Sequence, residues 1–211
     1  MKEINKIYIA SFFQGLDIVA SVTFTLFFIS NGLTQTQIGL LFSIFMISLA
    51  IFEIPTGAFA DTIGHKSSVA LGAFLIAISF LTLAIGSDFN IFALAMIAAA
   101  AGFAFQSGAT SSLVYDILNK IDQSDQFEKI QGRIGSIFLL SSVVGAPLGA
   151  FLFELNPRIP YFIAFFSILL SSIIVYTIKW EFHQKDAITW HTYFQKIHKG
   201  IVLTVTNQRL L

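Results

Sequence analysis

Asp17 stands near the middle of a long apolar stretch covering residues 8–30. An ionised aspartate at the centre of a bilayer costs about 2.5–3.5 kcal/mol on the insertion scale, so its presence calls for a partner or a function. No lysine or arginine lies within any apolar run to pair with it. Ser11, Gln14, Asp17, Ser21 and Thr25 follow one another at steps of three or four, which places them on one face of a helix. Gln106, Ser107, Thr110 and Ser111 form a second polar patch on another apolar run. Two such stripes predict a shared water-filled cavity, with interhelical hydrogen bonding as the structural alternative for the serines, threonines and glutamines. Burial disfavours the charged form of a carboxyl group. A carboxyl in such a cavity can take up a proton on one side of the membrane and release it on the other. Asp17, Gln14, Ser21, Gln106 and Thr110 are the cavity candidates, with Asp17 the candidate for proton coupling.

The elements that must position them are transmembrane helices. Hydrophobic residues make up 55% of the 211-residue chain and charged residues 11%, against about 25% charged in a soluble domain. Six runs are long enough to cross a hydrocarbon core: residues 8–30, 37–60, 68–85, 91–118, 135–153 and 161–178. Short connections predict that consecutive helices are antiparallel neighbours; the connection 119–133 is longer and charged. An even number of spans puts the two ends of the bundle's chain on one side. That side collects eleven of the twelve basic residues, including Lys2, Lys6, Lys66, Lys120 and Lys179, and leaves Arg158 on the other. By the positive-inside rule it is the cytoplasmic side. The expected setting is therefore a multi-pass integral protein of the cell membrane, with lipid as its first partner. A zero formal charge gives no electrostatic case for binding nucleic acid, and the absence of cysteine excludes thiol chemistry.

An internal repeat is also legible. Phe13-Gln14 matches Phe105-Gln106, and Pro55-Thr56-Gly57-Ala58-Phe59 matches Pro147-Leu148-Gly149-Ala150-Phe151, both at one offset. Three spans repeated once must insert upside down the second time, the inverted-repeat design of secondary transporters. The expected organisation is a six-helix bundle over residues 1–179 (repeats 8–86 and 91–178) and a cytoplasmic amphipathic linker over 180–211. In the linker Trp190, Tyr193, Phe194, Ile197 and Ile201 recur at helical spacing, and the segment leads toward a seventh span. Proline bends a helix by freeing a carbonyl, and Gly145 and Gly149 form a G-x-x-x-G surface for a partner helix. Pro55, Gly145, Pro147 and Gly149 thus read as gating and packing positions at opposite ends of the bundle. Glu53, Asp116 and Arg133 read as a cytoplasmic charge cluster, with Arg133 reaching Asp116 across the loop between spans 4 and 5.

The run Gly57-Ala58-Phe59-Ala60-Asp61-Thr62-Ile63-Gly64-His65-Lys66 resembles the loop signature of the major facilitator superfamily, in the same place between spans 2 and 3. Gly57, Asp61, Gly64 and Lys66 match the pattern; Thr62 and His65 replace its usual arginines. Gly145-Ala146-Pro147-Leu148-Gly149-Ala150 looks like the span 5 motif of exporters in that superfamily, and Glu53-Ile54-Pro55-Thr56 is similar to bacterial efflux-type members. The resemblance implies an all-α membrane protein in which spans 1 and 4 line a central cavity. It also implies that spans 2 and 5 pack against a second six-span half, in which Asp61 caps a helix. The function expected is proton-coupled export of a small molecule by alternating access, with the proton gradient as energy source and no cofactor or metal. A non-transporting half-size module that only packs with partner helices is the alternative. An intramembrane serine protease is excluded because all four histidines lie outside the spans.

Overall fold

The computed structural model describes residues 1–179; the amphipathic helix and linker expected over 180–211 lie outside the described residues. The described chain folds into helices α1 (Lys2–Gly15), α2 (Ile18–Ser21), α3 (Phe24–Ser30), α4 (Gln35–Ile63), α5 (His65–Ile85), α6 (Phe89–Gln106), α7 (Ala109–Lys120), α8 (Phe127–Leu155) and α9 (Ile159–Tyr176). Five stretches are long and apolar enough to cross a membrane, and the bent series α1–α3 makes a sixth. Span 1 is thus α1–α3, span 4 is α6 and α7, and each other span is one helix.

Local chemistry sets the boundaries. Thr34 caps α4 through a reciprocal capping box with Gln37: the Thr34 N–H donates to Gln37 Oε1 at 2.9 Å and the Gln37 N–H to Thr34 Oγ1 at 3.3 Å. The Asp88 carboxylate caps α6 by accepting from the Asn90 and Ile91 N–H groups at 2.9 and 3.2 Å. Gly64 divides α4 from α5 at φ +98°, a conformation that strains any residue with a Cβ.

The inverted repeat is visible in the architecture. Gln14 and Gln106 lie 92 residues apart and bond to each other. Helices α4 and α8 are both 29 residues long, and both their ends keep that separation, since 127 − 35 and 155 − 63 are each 92. Span 4 breaks at Ser107-Gly108, with Gly108 at φ +71°. Span 1 breaks at Leu16-Asp17, one residue beyond the equivalent position in the first repeat.

Helix α5 is central, packing most extensively on α6, its neighbour in sequence, and on α9. Around it α4 packs on α6, while α8 packs on α1 and α2, so the second helix of each repeat docks on the first helix of the other. Consecutive spans 3 and 4 are close neighbours, as their short connection predicts, while the other consecutive spans touch less than the pairs that cross the repeat boundary. Gly72 and Gly102 bring α5 and α6 together, where an added Cβ at either would sit 2.6 Å from the other's carbonyl oxygen. The glycines of span 5 are similarly occupied within this chain. Gly145 and Gly149 are buried against Ile18 and Val19 of α2. The face of span 5 left outward carries Leu139, Leu140, Val143 and Val144. The prolines do not interrupt their helices, for α4 runs through Pro55 and α8 through Pro147.

Two apolar cores flank the level of the glutamine pair. One gathers Phe27, Phe28, Phe80, Phe92 and Tyr161; the other gathers Ile4, Ile7, Val114, Leu118, Ile130 and Val175. The second lies at the end where the lysines meet. There Lys6 Nζ donates to the Thr177 carbonyl at 2.8 Å and Lys66 Nζ to the Ile178 carbonyl at 3.1 Å. Arg158 instead donates to the Ala84 carbonyl at the other end.

Candidate functional site: an aromatic cavity at the helix break

The break in span 1 decides where the polar stripe goes. Residues 16–17 and 22–23 interrupt the helix, and the axis bends by 44° between α2 and α3. A stripe that would share one face of a straight helix is therefore divided. Ser11 is buried and donates to its own helix, at the Ile7 carbonyl, 2.8 Å away. Gln14 turns toward span 4. Asp17 and Ser21 face a cavity, and Thr25 is exposed.

That cavity has a volume of about 260 Å³ and lies among spans 1, 2, 3 and 4. Phe24, Phe42, Phe45, Phe80 and Phe103 supply aromatic walls, and Met46 and Met96 add polarisable thioethers. Polar groups enter from Asp17, Ser21 and Ser79 alone. Ser79 Oγ already donates to the Ile76 carbonyl at 2.7 Å. The half-buried Asp17 carboxyl is therefore the one ionisable group in an apolar chamber, and no ion pair forms to it among the described residues. Such a chamber can hold an apolar or aromatic molecule, and its single carboxylate can attract a cation or carry a proton. The aromatic lining was not legible in the sequence because phenylalanine in a membrane helix reads first as lipid-facing. The one available signal was the density of aromatic residues along spans 1 and 2.

Gln14, Gln106 and Thr110 lie beside this cavity rather than on its wall. The Gln14 Nε2 donates to Gln106 Oε1, joining spans 1 and 4 next to their breaks. The Gln106 Nε2 is buried and has no partner among the described residues. Thr110 Oγ1 donates to the Gln106 carbonyl at 3.3 Å, across the Ser107-Gly108 break. An interhelical bond of this kind in a membrane bundle contributes about 0.6 kcal/mol and at most about 1.7. A cycle of Gln14→Leu, Gln106→Leu and the double variant should return a coupling of that size in thermal unfolding. A coupling indistinguishable from zero would mean the pair does not join the two spans.

The loop signature and charge cluster sit at the basic end. Gly57 and Asp61 are exposed on the last turns of α4, Gly64 forms the turn, and Lys66 lies 5.6 Å from the centre of the Tyr176 ring. Asp116 pairs with His65, its Oδ2 being 2.7 Å from the imidazole Nδ1. Arg133 is exposed on α8, so the arginine expected to reach Asp116 is supplanted by the histidine of the loop signature. The start of α8 at Phe127 explains this: residues 127–133 are helix rather than flexible loop, and they carry Arg133 outward. Glu53 is exposed one turn before Gly57, and Pro55 is half-buried.

An all-helical bundle of two inverted three-span repeats, with its cavity beside the break in span 1, has the architecture of secondary transporters. Comparison with known proteins agrees. The Major Facilitator Superfamily model matches residues 7–192, and the chain belongs to that family. It is 27% identical to the quinolone resistance protein NorA of Staphylococcus aureus over 165 residues, covering 77% of this chain and 41% of that protein. It is also 27% identical to an uncharacterized MFS-type transporter of Bacillus subtilis, YxaM, over 167 residues, covering 79% of this chain and 41% of that protein. The chain thus spans less than half the length of the relatives it matches.

Proposed function

We propose that this chain forms one half of a secondary transporter that exports amphipathic small molecules across the cell membrane, driven by protons. The observation that carries this reading is the lone Asp17 carboxyl on the wall of an aromatic cavity, at the point where span 1 breaks. Aromatic rings and thioethers suit the apolar body of a substrate, and the carboxylate suits either a positive centre or a proton. One group that serves both in turn makes their binding mutually exclusive, which is the requirement for exchange. Similarity to a protein named for quinolone resistance supports export of foreign compounds. The paired breaks in spans 1 and 4, bridged by Gln14 and Gln106, supply a joint at which the two repeats can move against each other during alternating access. The bundle end that bears the lysines faces the cytoplasm, and spans 2 and 5 turn their outer faces to lipid and to a second six-span half.

The test is transport by the full-length protein in everted vesicles whose lumen is acidified, read as accumulation of a fluorescent lipophilic cation. Asp17→Asn keeps the size of the side chain and removes its proton. Accumulation is expected to fall to the level of vesicles lacking the protein. Wild-type accumulation by Asp17→Asn vesicles would rule out proton coupling at this residue.

A further inference from the structure

The break in span 4 deprives the last turn of α6 of its usual donors. In a continuous helix the N–H groups of residues 108–110 would close on the carbonyls of Ala104, Phe105 and Gln106. Gly108 turns to φ +71° instead, and the Ala109 N–H donates to the Ser107 carbonyl at 2.8 Å. Side chains take over the vacated carbonyls. Thr56 Oγ1 of span 2 stands 3.1 Å from the Ala104 carbonyl oxygen, and Ser68 Oγ of span 3 donates to the Phe105 carbonyl at 2.6 Å. Thr110 Oγ1 serves the Gln106 carbonyl. Thr56 and Ser68 are both buried. Thr56 also has acceptors on its own helix, the Phe52 carbonyl at 2.8 Å and the Glu53 carbonyl at 3.3 Å. One hydroxyl carries one proton, so it divides between span 2 and span 4. A helical serine can likewise turn to the carbonyl one turn back. The arrangement is peculiar to span 4. One repeat later, at the 92-residue offset, Thr56 and Ser68 correspond to Leu148 and Pro160, which carry no hydroxyl. The break in span 1 is closed by backbone bonds, from the Asp17 N–H to the Gln14 carbonyl and from the Val19 N–H to the Leu16 carbonyl, both at 3.1 Å.

We propose that Thr56 and Ser68 are positioning residues that keep span 4 broken, and that their release lets the span close into one helix. In the broken state the two hydroxyls replace backbone donors. In the continuous state the Gly108 and Ala109 N–H groups take the Ala104 and Phe105 carbonyls, and the hydroxyls return to their own helices. Neither carbonyl is left unpaired in either state, so the exchange strands no buried polar group. Gln106 ends α6 and bonds to Gln14, so the exchange moves the point where spans 1 and 4 meet. The inference rests on the reading of the paired breaks as moving joints. Its test follows backbone protection without substrate or proton gradient, so it can fail where transport is retained and hold where transport is absent.

The experiment is hydrogen–deuterium exchange of the full-length protein in neutral detergent, read on the amides of residues 107–112. Removing both hydroxyls (Thr56→Val with Ser68→Ala) is expected to slow exchange there on the order of tenfold, because the segment becomes helix. Thr56→Ser keeps a hydroxyl and should exchange as the wild type does. Gly108→Ala reaches the continuous state by another route. Alanine is strained at φ +71°, and nothing lies within 4 Å of the added Cβ, so the helix is the conformation that relieves it. This variant should slow the same amides. Ser68→Ala alone, expected to slow them about threefold, carries the test where the double variant does not fold. Exchange at 107–112 that is unchanged or faster on loss of the hydroxyls overturns the proposal, including the case in which Gly108→Ala alone slows it.

Discussion

Gly149→Ala is expected to destabilise the bundle by about 3 kcal/mol, through forced overpacking against backbone. A Cβ built at position 149 overlaps the main chain of Val19, with the Val19 Cα and carbonyl carbon each 2.8 Å away and its carbonyl oxygen nearer still. Such separations are not relieved by turning a side chain. Span 1 or span 5 must retreat, and α2, set between two breaks, is the joint that would be disturbed. Gly145→Ala should be milder, because the nearest atom there is the Ile18 Cγ2, at the end of a side chain that can swing aside. Gly135→Ala provides the control. Nothing lies within 4 Å of its added Cβ, and replacing a mid-helix glycine by alanine favours the helix by about 1 kcal/mol. Thermal unfolding of the three purified variants, with the yield of monodisperse protein as a second readout, should rank Gly149→Ala lowest and Gly135→Ala at or above wild type. Should Gly149→Ala unfold with Gly135→Ala, the close approach of spans 1 and 5 does not limit stability.

The same contact marks what could be read from the sequence. That Gly145 and Gly149 form a packing surface follows from their spacing alone, because two glycines a turn apart leave a groove for a neighbouring helix. Which helix fills the groove does not follow from spacing. The resemblance suggested the second half, whereas Ile18 and Val19 fill it within this chain. The repeat was legible because identity at Phe13-Gln14 and Phe105-Gln106 survives in the letters, and the matching bounds of α4 and α8 express it. The break in span 4 had a sequence mark in Gly108, which adopts φ +71°. The break in span 1 had little. Leu16, Asp17, Val22 and Thr23 are residues a continuous helix accepts, and tertiary packing of α2 against α8 and α9 overrides local preference. Since the break redirects everything after it, a periodic reading from Ser11 to Thr25 placed Asp17 and Ser21 in the cavity and also placed Ser11 and Thr25 where they do not reach. The charge on Asp17 was legible from its rarity; the rings around it were not, because a phenylalanine lining a cavity and one facing lipid are the same letter.

Those rings set the second large effect. Tyr161 is fully buried at the start of α9, directly after Pro160. Its ring centroid lies 4.1 Å from that of Phe27 and 5.9 Å from that of Phe24. Phe24 in turn stacks at 6.0 Å on Phe80, and both Phe24 and Phe80 line the aromatic cavity. The tyrosine is thus the support behind one cavity wall, and it fixes α3 at its bent angle to α2. Tyr161→Ala leaves a void that lipid cannot enter, with the loss of close packing rather than transfer from water as the main cost. A destabilisation of about 3–4 kcal/mol is expected from the behaviour of large aromatic-to-alanine changes in packed interiors. Tyr161→Phe keeps the ring and removes only the hydroxyl, which stands 3.4 Å from Thr23 Oγ1. Thr23 keeps its bond to the Ala20 carbonyl at 2.9 Å, so this change should cost no more than about 1 kcal/mol. The two substitutions also separate stability from cavity shape. Tyr161→Phe should bind a lipophilic probe as the wild type does, while Tyr161→Ala should bind it more weakly even at temperatures where the bundle remains folded. If Tyr161→Ala unfolds within 1 kcal/mol of Tyr161→Phe, the bend between α2 and α3 is held by the helix break itself and not by the aromatic cluster.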